Sequence, residues 1–175
     1  LNLNKKQKKI IAFKEIDLVI TDVDGVLTDG GRYYSKEGEN LKKFHVRDGM
    51  GINLLLRNKI KTIIVTKEDS PIVKKWAKDM NISAVYNNAI IKELELPKIC
   101  KKFNTKPNKI LFIGDDVNDL ELMKKIRISV SPKDANYIVK KNVDYVCSTE
   151  GGKGVLREIS DLILLAKFPN KKKWY

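Results

Sequence analysis

A chain containing Ile16-Asp17-Leu18-Val19-Ile20-Thr21-Asp22-Val23-Asp24-Gly25 has little freedom in where it puts that segment. The run is apolar and rich in β-branched residues, which marks a buried strand. Side chains alternate along a strand, so Asp22 and Asp24 point one way and Val23 the other. Two carboxylates crowded at the end of a buried strand repel each other and resist desolvation. A hard divalent cation removes that cost, and Mg2+ takes a few oxygens plus water. Gly25 lets the backbone leave the strand sharply. An isolated Asp-x-Asp-Gly equally fits a pair of helix-capping aspartates, so the rest of the chain must decide.

Further short apolar runs follow at about 61–66, 84–86, 109–113, 128–130 and 144–146. Between them the pattern predicts helices at about 49–58 (capped by Asp48), 71–80 (opened by Ser70-Pro71), 90–103 (kinked or restarted at Pro97) and 135–141. Another runs to about 125, and a last amphipathic one spans 155–166. Glycine-punctuated residues at about 31–45 predict a β-hairpin, turning over Lys36-Glu37-Gly38-Glu39 beside the acidic strand end. Strands alternating with helices imply an α/β, Rossmann-like parallel sheet with helices on both faces. Ligands bind such sheets at the carboxyl ends of the strands. Asp22 and Asp24, Thr66, and Asp115 with Asp116 all fall at such ends, from separate segments.

The 175 residues make about one domain, with a basic arm at 1–14 and a flexible basic tail at 167–175. The chain opens on Leu1 rather than Met, as expected of a trimmed sequence or a fragment. No long apolar stretch follows the arm, which argues against a signal peptide, and none reaches membrane-spanning length. Cys100 and Cys147 lie far apart, which fits neither a disulfide framework nor a zinc site and points to the cytoplasm. The net charge of +13 raises nucleic-acid binding. The lysines are spread along the chain without interleaved aromatics, so a solvated surface that attracts anionic substrates is the better reading.

Carboxylates at neighbouring strand ends can hold Mg2+ beside a nucleophile. Asp22 would attack a phosphoryl group, and Asp24 would protonate the leaving alcohol and then activate water. Thr66 could donate to a phosphoryl oxygen, and Lys92 could offset charge on the transferring group. Asp115 would complete the metal site, with Asp116, Asn118 and Asp119 supporting it from behind. Each also has a plain reading: Thr66 as a strand end, Lys92 as a solvated helix lysine, Asp119 as a carboxylate facing a helix dipole. His45, the only histidine, reads as a lid or substrate contact, and Arg47 with Asp48 as a local salt bridge.

In order and spacing these motifs resemble the haloacid dehalogenase-like phosphatases. The stretches Asp22-Val23-Asp24-Gly25-Val26-Leu27-Thr28-Asp29-Gly30, Phe44-His45-Val46-Arg47-Asp48-Gly49 and Gly151-Gly152-Lys153-Gly154-Val155-Leu156-Arg157-Glu158 resemble its small-capped sugar-acid branch. That branch includes the 3-deoxy-D-manno-octulosonate 8-phosphate and nonulosonate (sialic-acid-type) 9-phosphate phosphatases. The resemblance implies an aspartyl-phosphate mechanism with Mg2+ on Asp22, the Asp24 backbone carbonyl and Asp115. It implies a substrate site lined by His45, Arg47, Asp48, Gly49, Thr66 and Glu68, with Lys92 on the phosphate. It also implies a homotetramer whose hairpins pack together.

The octulosonate enzymes typically read Thr-Gly-Arg where this chain has Thr66-Lys67-Glu68, with a further arginine where Trp76 stands. Glu68 resembles the nonulosonate enzymes and puts a nonulosonate 9-phosphate ahead of an octulosonate 8-phosphate as the expected substrate. The alternatives of another kind are a low-activity scaffold or nucleic-acid-binding module on this fold, or the detached domain of a sialic-acid-activating enzyme.

Overall fold

The computed structural model describes residues 12–170. The arm up to residue 11, the tail from residue 171, and the lysine clusters in both lie outside the described residues. Six strands form one parallel sheet in the order β5-β4-β1-β6-β7-β8. These are β1 (Leu18–Thr21), β4 (Lys61–Val65), β5 (Val85–Tyr86), β6 (Ile110–Ile113), β7 (Ile128–Ser131) and β8 (Tyr145–Val146). The acidic strand β1 sits at the centre, with Thr21 in register with Ile64 of β4 and Ile113 of β6.

Strand alternation explains how one sheet supports two cores. Val19, Ile64, Leu111, Ile113, Ile128 and Val130 face one layer. Leu18, Ile20, Ile63, Val65, Ile110 and Phe112 face the other. The first layer is covered by helices α1 (Val46–Arg57), α2 (Pro71–Asp79) and α6 (Val155–Lys167). The second is covered by α3 (Leu96–Phe103), α4 (Leu120–Met123) and α5 (Tyr137–Asn142). The expected kink at Pro97 is a junction: a 3-10 turn, Lys92–Glu95, precedes α3, and Pro97 lies in the first turn of α3. Proline there costs no backbone hydrogen bond.

The hairpin is present as antiparallel β2 (Tyr33–Ser35) and β3 (Gly38–Leu41). Its turn is shorter than the sequence pattern indicates. Only Lys36 and Glu37 form it, and Gly38 (φ +115°) opens β3. The segment after Leu41 leaves the ribbon and runs into α1.

The start of α1 also differs from expectation. Its cap is His45, whose Nδ1 accepts from the Arg47 amide at 3.2 Å, rather than Asp48. Asp48 lies inside the first turn, wholly buried, and its Oδ1 accepts from the Arg157 amide at 3.0 Å. The residue before α6 is Gly154, which has no side chain to cap with, so Asp48 satisfies that helix start from another element. Burial lifts the Asp48 carboxyl to about 6 against the pull of the Arg157 and Leu156 amides.

Candidate active site

The rim at the carboxyl end of β1 is assembled by three loops. Asp22 leaves β1 while its own amide still donates to Ile113 O of β6 at 2.9 Å. Both of its carboxylate oxygens are held: Oδ1 accepts from the Val23 amide at 2.7 Å, and Oδ2 lies 2.7 Å from Lys92 Nζ. Lys92 is fully buried, and its Nζ also reaches Asp119 Oδ1 at 2.6 Å. The solvated-lysine reading therefore fails, because this ammonium is locked between two carboxylates. Burial by itself would lower the Lys92 pKa, but the Asp22 and Asp119 charges outweigh it and leave it raised.

Asp119 stands behind the rim. Its Oδ2 accepts from the amides of Asp115 and Asp116 at 3.0 and 3.4 Å, and so fixes the loop that follows β6. The carboxylate of Asp115 rests over Gly25. A Cβ added at Gly25 would lie 2.0 Å from Asp115 Oδ2, and Gly25 has φ +81°, so residue 25 is glycine for two independent reasons. The glycine-rich loop before α6 closes this floor. A Cβ at Gly151 would sit 2.1 Å from Gly25 O, and Gly152 N donates to Val26 O at 2.9 Å.

Asp22, Asp115 and Asp119 each offer a carboxylate oxygen within 4.8 Å of the others. Asp119 is already engaged by Lys92 and the loop amides, so Asp22 and Asp115 are the carboxylates of this set that fit a hard cation. Burial, reinforced by Asp119, raises Asp22 to about 6 even against Lys92. Burial and then the charges of Asp22, Asp119 and Asp116 raise Asp115 to about 8. Excess negative charge of this kind is what a divalent ion relieves. The Asp24 side chain turns elsewhere, with Oδ1 accepting from Lys42 Nζ at 2.6 Å and from Thr28 Oγ1 at 3.3 Å.

A cavity of about 710 Å3 opens over this rim, lined by Asp22, Asp24, Asp115, Asp116, Asn118 and Thr66, and also by Arg32, Lys67 and Glu68. Thr66 is buried and Asn118 exposed. The expected site residues thus divide into two groups. Those from the ends of β1, β4 and β6 converge. His45, Arg47, Asp48 and Gly49 do not line this cavity: His45 caps α1 and the other three lie in its first turn, with Asp48 and Gly49 buried.

Sequence reasoning missed Lys42 and Arg32. The Lys42 side chain is completely buried, with Nζ near Asp24, Glu39 (3.0 Å) and Glu68 (3.5 Å). Arg32 pairs with Glu68 through Nη2. The only signal available was that both belong to a hairpin inserted beside the acidic strand end. Trp76, where the resemblance led to the expectation of an arginine, stacks on Phe44 at 4.3 Å between centroids.

A doubly covered parallel sheet with its carboxylates at the end of the central strand, backed by a buried lysine, defines a class. The chain belongs to the haloacid dehalogenase-like hydrolases, whose family profile matches residues 56–159, and it is a phosphoric monoester hydrolase of that superfamily. Within it, the chain is 41% identical over 154 residues (88% of this chain, 86% of the relative) to the 3-deoxy-D-manno-octulosonate 8-phosphate phosphatase KdsC of Haemophilus influenzae. The cobalt-bound structure of the Haemophilus influenzae deoxy-D-mannose-octulosonate 8-phosphate phosphatase is 40% identical and covers 89% of this chain and 91% of its own, with TM-score 0.87. The Moraxella catarrhalis 3-deoxy-D-manno-octulosonate 8-phosphate phosphatase was solved with a magnesium ion, a phosphate ion and a KDO molecule. It is 32% identical and covers 91% of this chain and 92% of its own, also with TM-score 0.87.

Proposed function

We propose that this chain hydrolyses the phosphomonoester of a keto-deoxy sugar acid, with Mg2+ held by Asp22, Asp115 and the backbone carbonyl of Asp24. The observation that carries the proposal is the buried Lys92, locked onto Asp22 and Asp119 directly beneath an open polar cavity. Bound Mg2+ supplies the positive charge that offsets repulsion between a carboxylate nucleophile and a phosphoryl anion.

Asp22 is the nucleophile. Its carboxylate is pinned at both oxygens, by the Val23 amide and by Lys92, so little orientational freedom is left to lose on attack. The phosphorus–oxygen bond to the sugar breaks as the bond to Asp22 forms, and the proton that the departing alcohol takes is delivered by Asp24, which Lys42 Nζ contacts at 2.6 Å. Asp24 then takes a proton from the water that releases phosphate. Thr66 hydrogen-bonds a phosphoryl oxygen, and Lys92 balances charge on Asp22. Asp119 holds the β6 loop through the Asp115 and Asp116 amides, Asp116 caps the turn that follows, and Asn118 lines the cavity beside them.

The relatives' names support 3-deoxy-D-manno-octulosonate 8-phosphate as the substrate. Glu68, in place of an arginine, favours a nonulosonate 9-phosphate, and both belong in the assay. We further propose a single-domain cytoplasmic enzyme that assembles as a homotetramer through its hairpins. In support, both cysteines are free, and among the described residues no helix is long and apolar enough to cross a membrane.

The test is phosphate release with and without Mg2+ from both sugar-acid phosphates, hexose phosphates and p-nitrophenyl phosphate. We expect Mg2+-dependent turnover with one sugar acid strongly preferred. Asp22→Asn should keep the fold and lose activity by ~1000-fold or more. Flat, weak activity across the panel would overturn the substrate reading, and full turnover by Asp22→Asn would overturn the nucleophile.

A further inference from the structure

The cavity over Asp22 has a second chamber. Arg32, Lys67 and Glu68 line both the active-site cavity and a neighbouring one of about 650 Å3, whose walls include Tyr34, Asn40 and Ser70 and none of the rim carboxylates. Those three residues belong to the wall that the active-site cavity shares with its neighbour, outside the set of rim carboxylates. A sugar acid phosphorylated at its terminal carbon carries its carboxylate at the opposite end of the chain. With the phosphate on Asp22, the carboxylate has to find a cation among the cavity residues outside the rim, and this shared wall supplies Arg32 and Lys67.

Three cations lie in this region, and the structure distinguishes them. Lys42 is completely buried among Asp24, Glu39 and Glu68, so it has no exposed donor to offer a ligand. Lys67 is an exposed, strongly hydrated ammonium on a flexible stem. Arg32 is different. Its side chain is 41% exposed, and Glu68 grips it through Nη2, with Glu39 3.9 Å from Nε. A guanidinium has five donors, so an arginine buttressed at one edge keeps others to offer. A planar fork matches a carboxylate in two-point geometry, which an ammonium cannot do.

We propose that Arg32, oriented by Glu68, is the carboxylate-recognition residue of this enzyme. The inference rests on the sugar-acid reading above. On it, Glu68 is no obstacle to an anionic substrate. It is the support that holds the hairpin's guanidinium across the mouth of the site, which moves the recognition cation from the β4 loop to the chain entering β2.

The experiment compares wild type, Arg32→Ala, Lys67→Ala and the charge-swapped Arg32→Glu/Glu68→Arg with two substrates, the preferred sugar-acid phosphate and p-nitrophenyl phosphate. The readout is the ratio of kcat/KM between the two. Calorimetric binding of the unphosphorylated sugar acid to each variant is measured alongside.

We expect Arg32→Ala to lower the selectivity ratio ~10- to 100-fold, mainly through KM, and to weaken sugar-acid binding in parallel. The swapped pair should recover part of both. An Arg32→Ala variant that slows both substrates equally would overturn the proposal by making Arg32 a tether for the hairpin. Loss that follows Lys67 instead would overturn it in favour of that lysine. A wild type that hydrolyses no sugar-acid phosphate would overturn the substrate reading beneath it, an outcome visible before any variant is made.

Discussion

Lys92 and Lys75 are both lysines paired with carboxylates, yet they differ in consequence. Lys75 bonds Asp79 on the surface of α2, 73% exposed, where solvent screens the pair to well under ~1 kcal/mol. Lys92 has no solvent and two carboxylates to neutralise. In metal-free protein we expect Lys92→Met to cost ~3–5 kcal/mol in urea denaturation, because Asp22 and Asp119 are left buried and unpaired. Lys75→Met should change little, and equal effects would refute the contrast.

Asp115 and Asp22 give a second residue-scale prediction. Their pKa values, about 8 and about 6, lie above the ordinary 3.8, so the folded protein binds these protons more tightly than the unfolded chain. Stability of the metal-free fold from these groups is therefore fully present below the unfolded value and is lost as pH rises through about 6 and about 8. Protons and Mg2+ compete for the same oxygens. Apparent Mg2+ affinity in calorimetric titrations should accordingly fall as pH drops through about 8 and then about 6. Affinity that stays flat across this interval would remove Asp115 from the metal site.

At the scale of elements, the active rim is a backbone arrangement before it is a set of side chains. The turn after β1, the loop after β6 and the loop before α6 press together at distances only glycine permits. Gly25→Ala should push the Asp115 carboxylate aside. We expect Mg2+ affinity to fall by about tenfold or more, while far-UV circular dichroism stays the same. Unchanged metal binding would mean that the Asp115 carboxylate does not need this seat. The start of α1 makes a related point. A cap expected within α1 instead serves α6, since buried helix starts must be satisfied by whichever acceptor the fold brings near.

For the whole molecule, the hairpin is the part that a lone protomer explains least. A two-stranded ribbon is marginal by itself, and this one leaves Tyr33, Tyr34 and Leu41 at 55%, 67% and 62% exposure. Apolar side chains on an open ribbon edge favour association. Sedimentation should find an assembly at micromolar concentration that Tyr34→Glu/Leu41→Glu dissociates to monomers. A monomeric wild type would refute the hairpin contact.

The sequence alone determined the alternation of strands and helices, the acidic first strand, the hairpin and the carboxylates at the strand ends. Each of these is written in local periodicity or in residue types whose burial demands a partner. Tertiary structure decided what each charge faces. Lys92 reads either as a cation for the transferring group or as a solvated helix lysine until the fold buries it between Asp22 and Asp119. Asp48 reads as the cap of α1 until α6 is laid across it. Lys42 and Arg32 read as hairpin surface until the ribbon folds back over Asp24 and Glu68. The physical reason is that burial follows from local pattern, whereas an electrostatic partner is set by distances between segments far apart in the chain, which only the packed sheet and its loops fix.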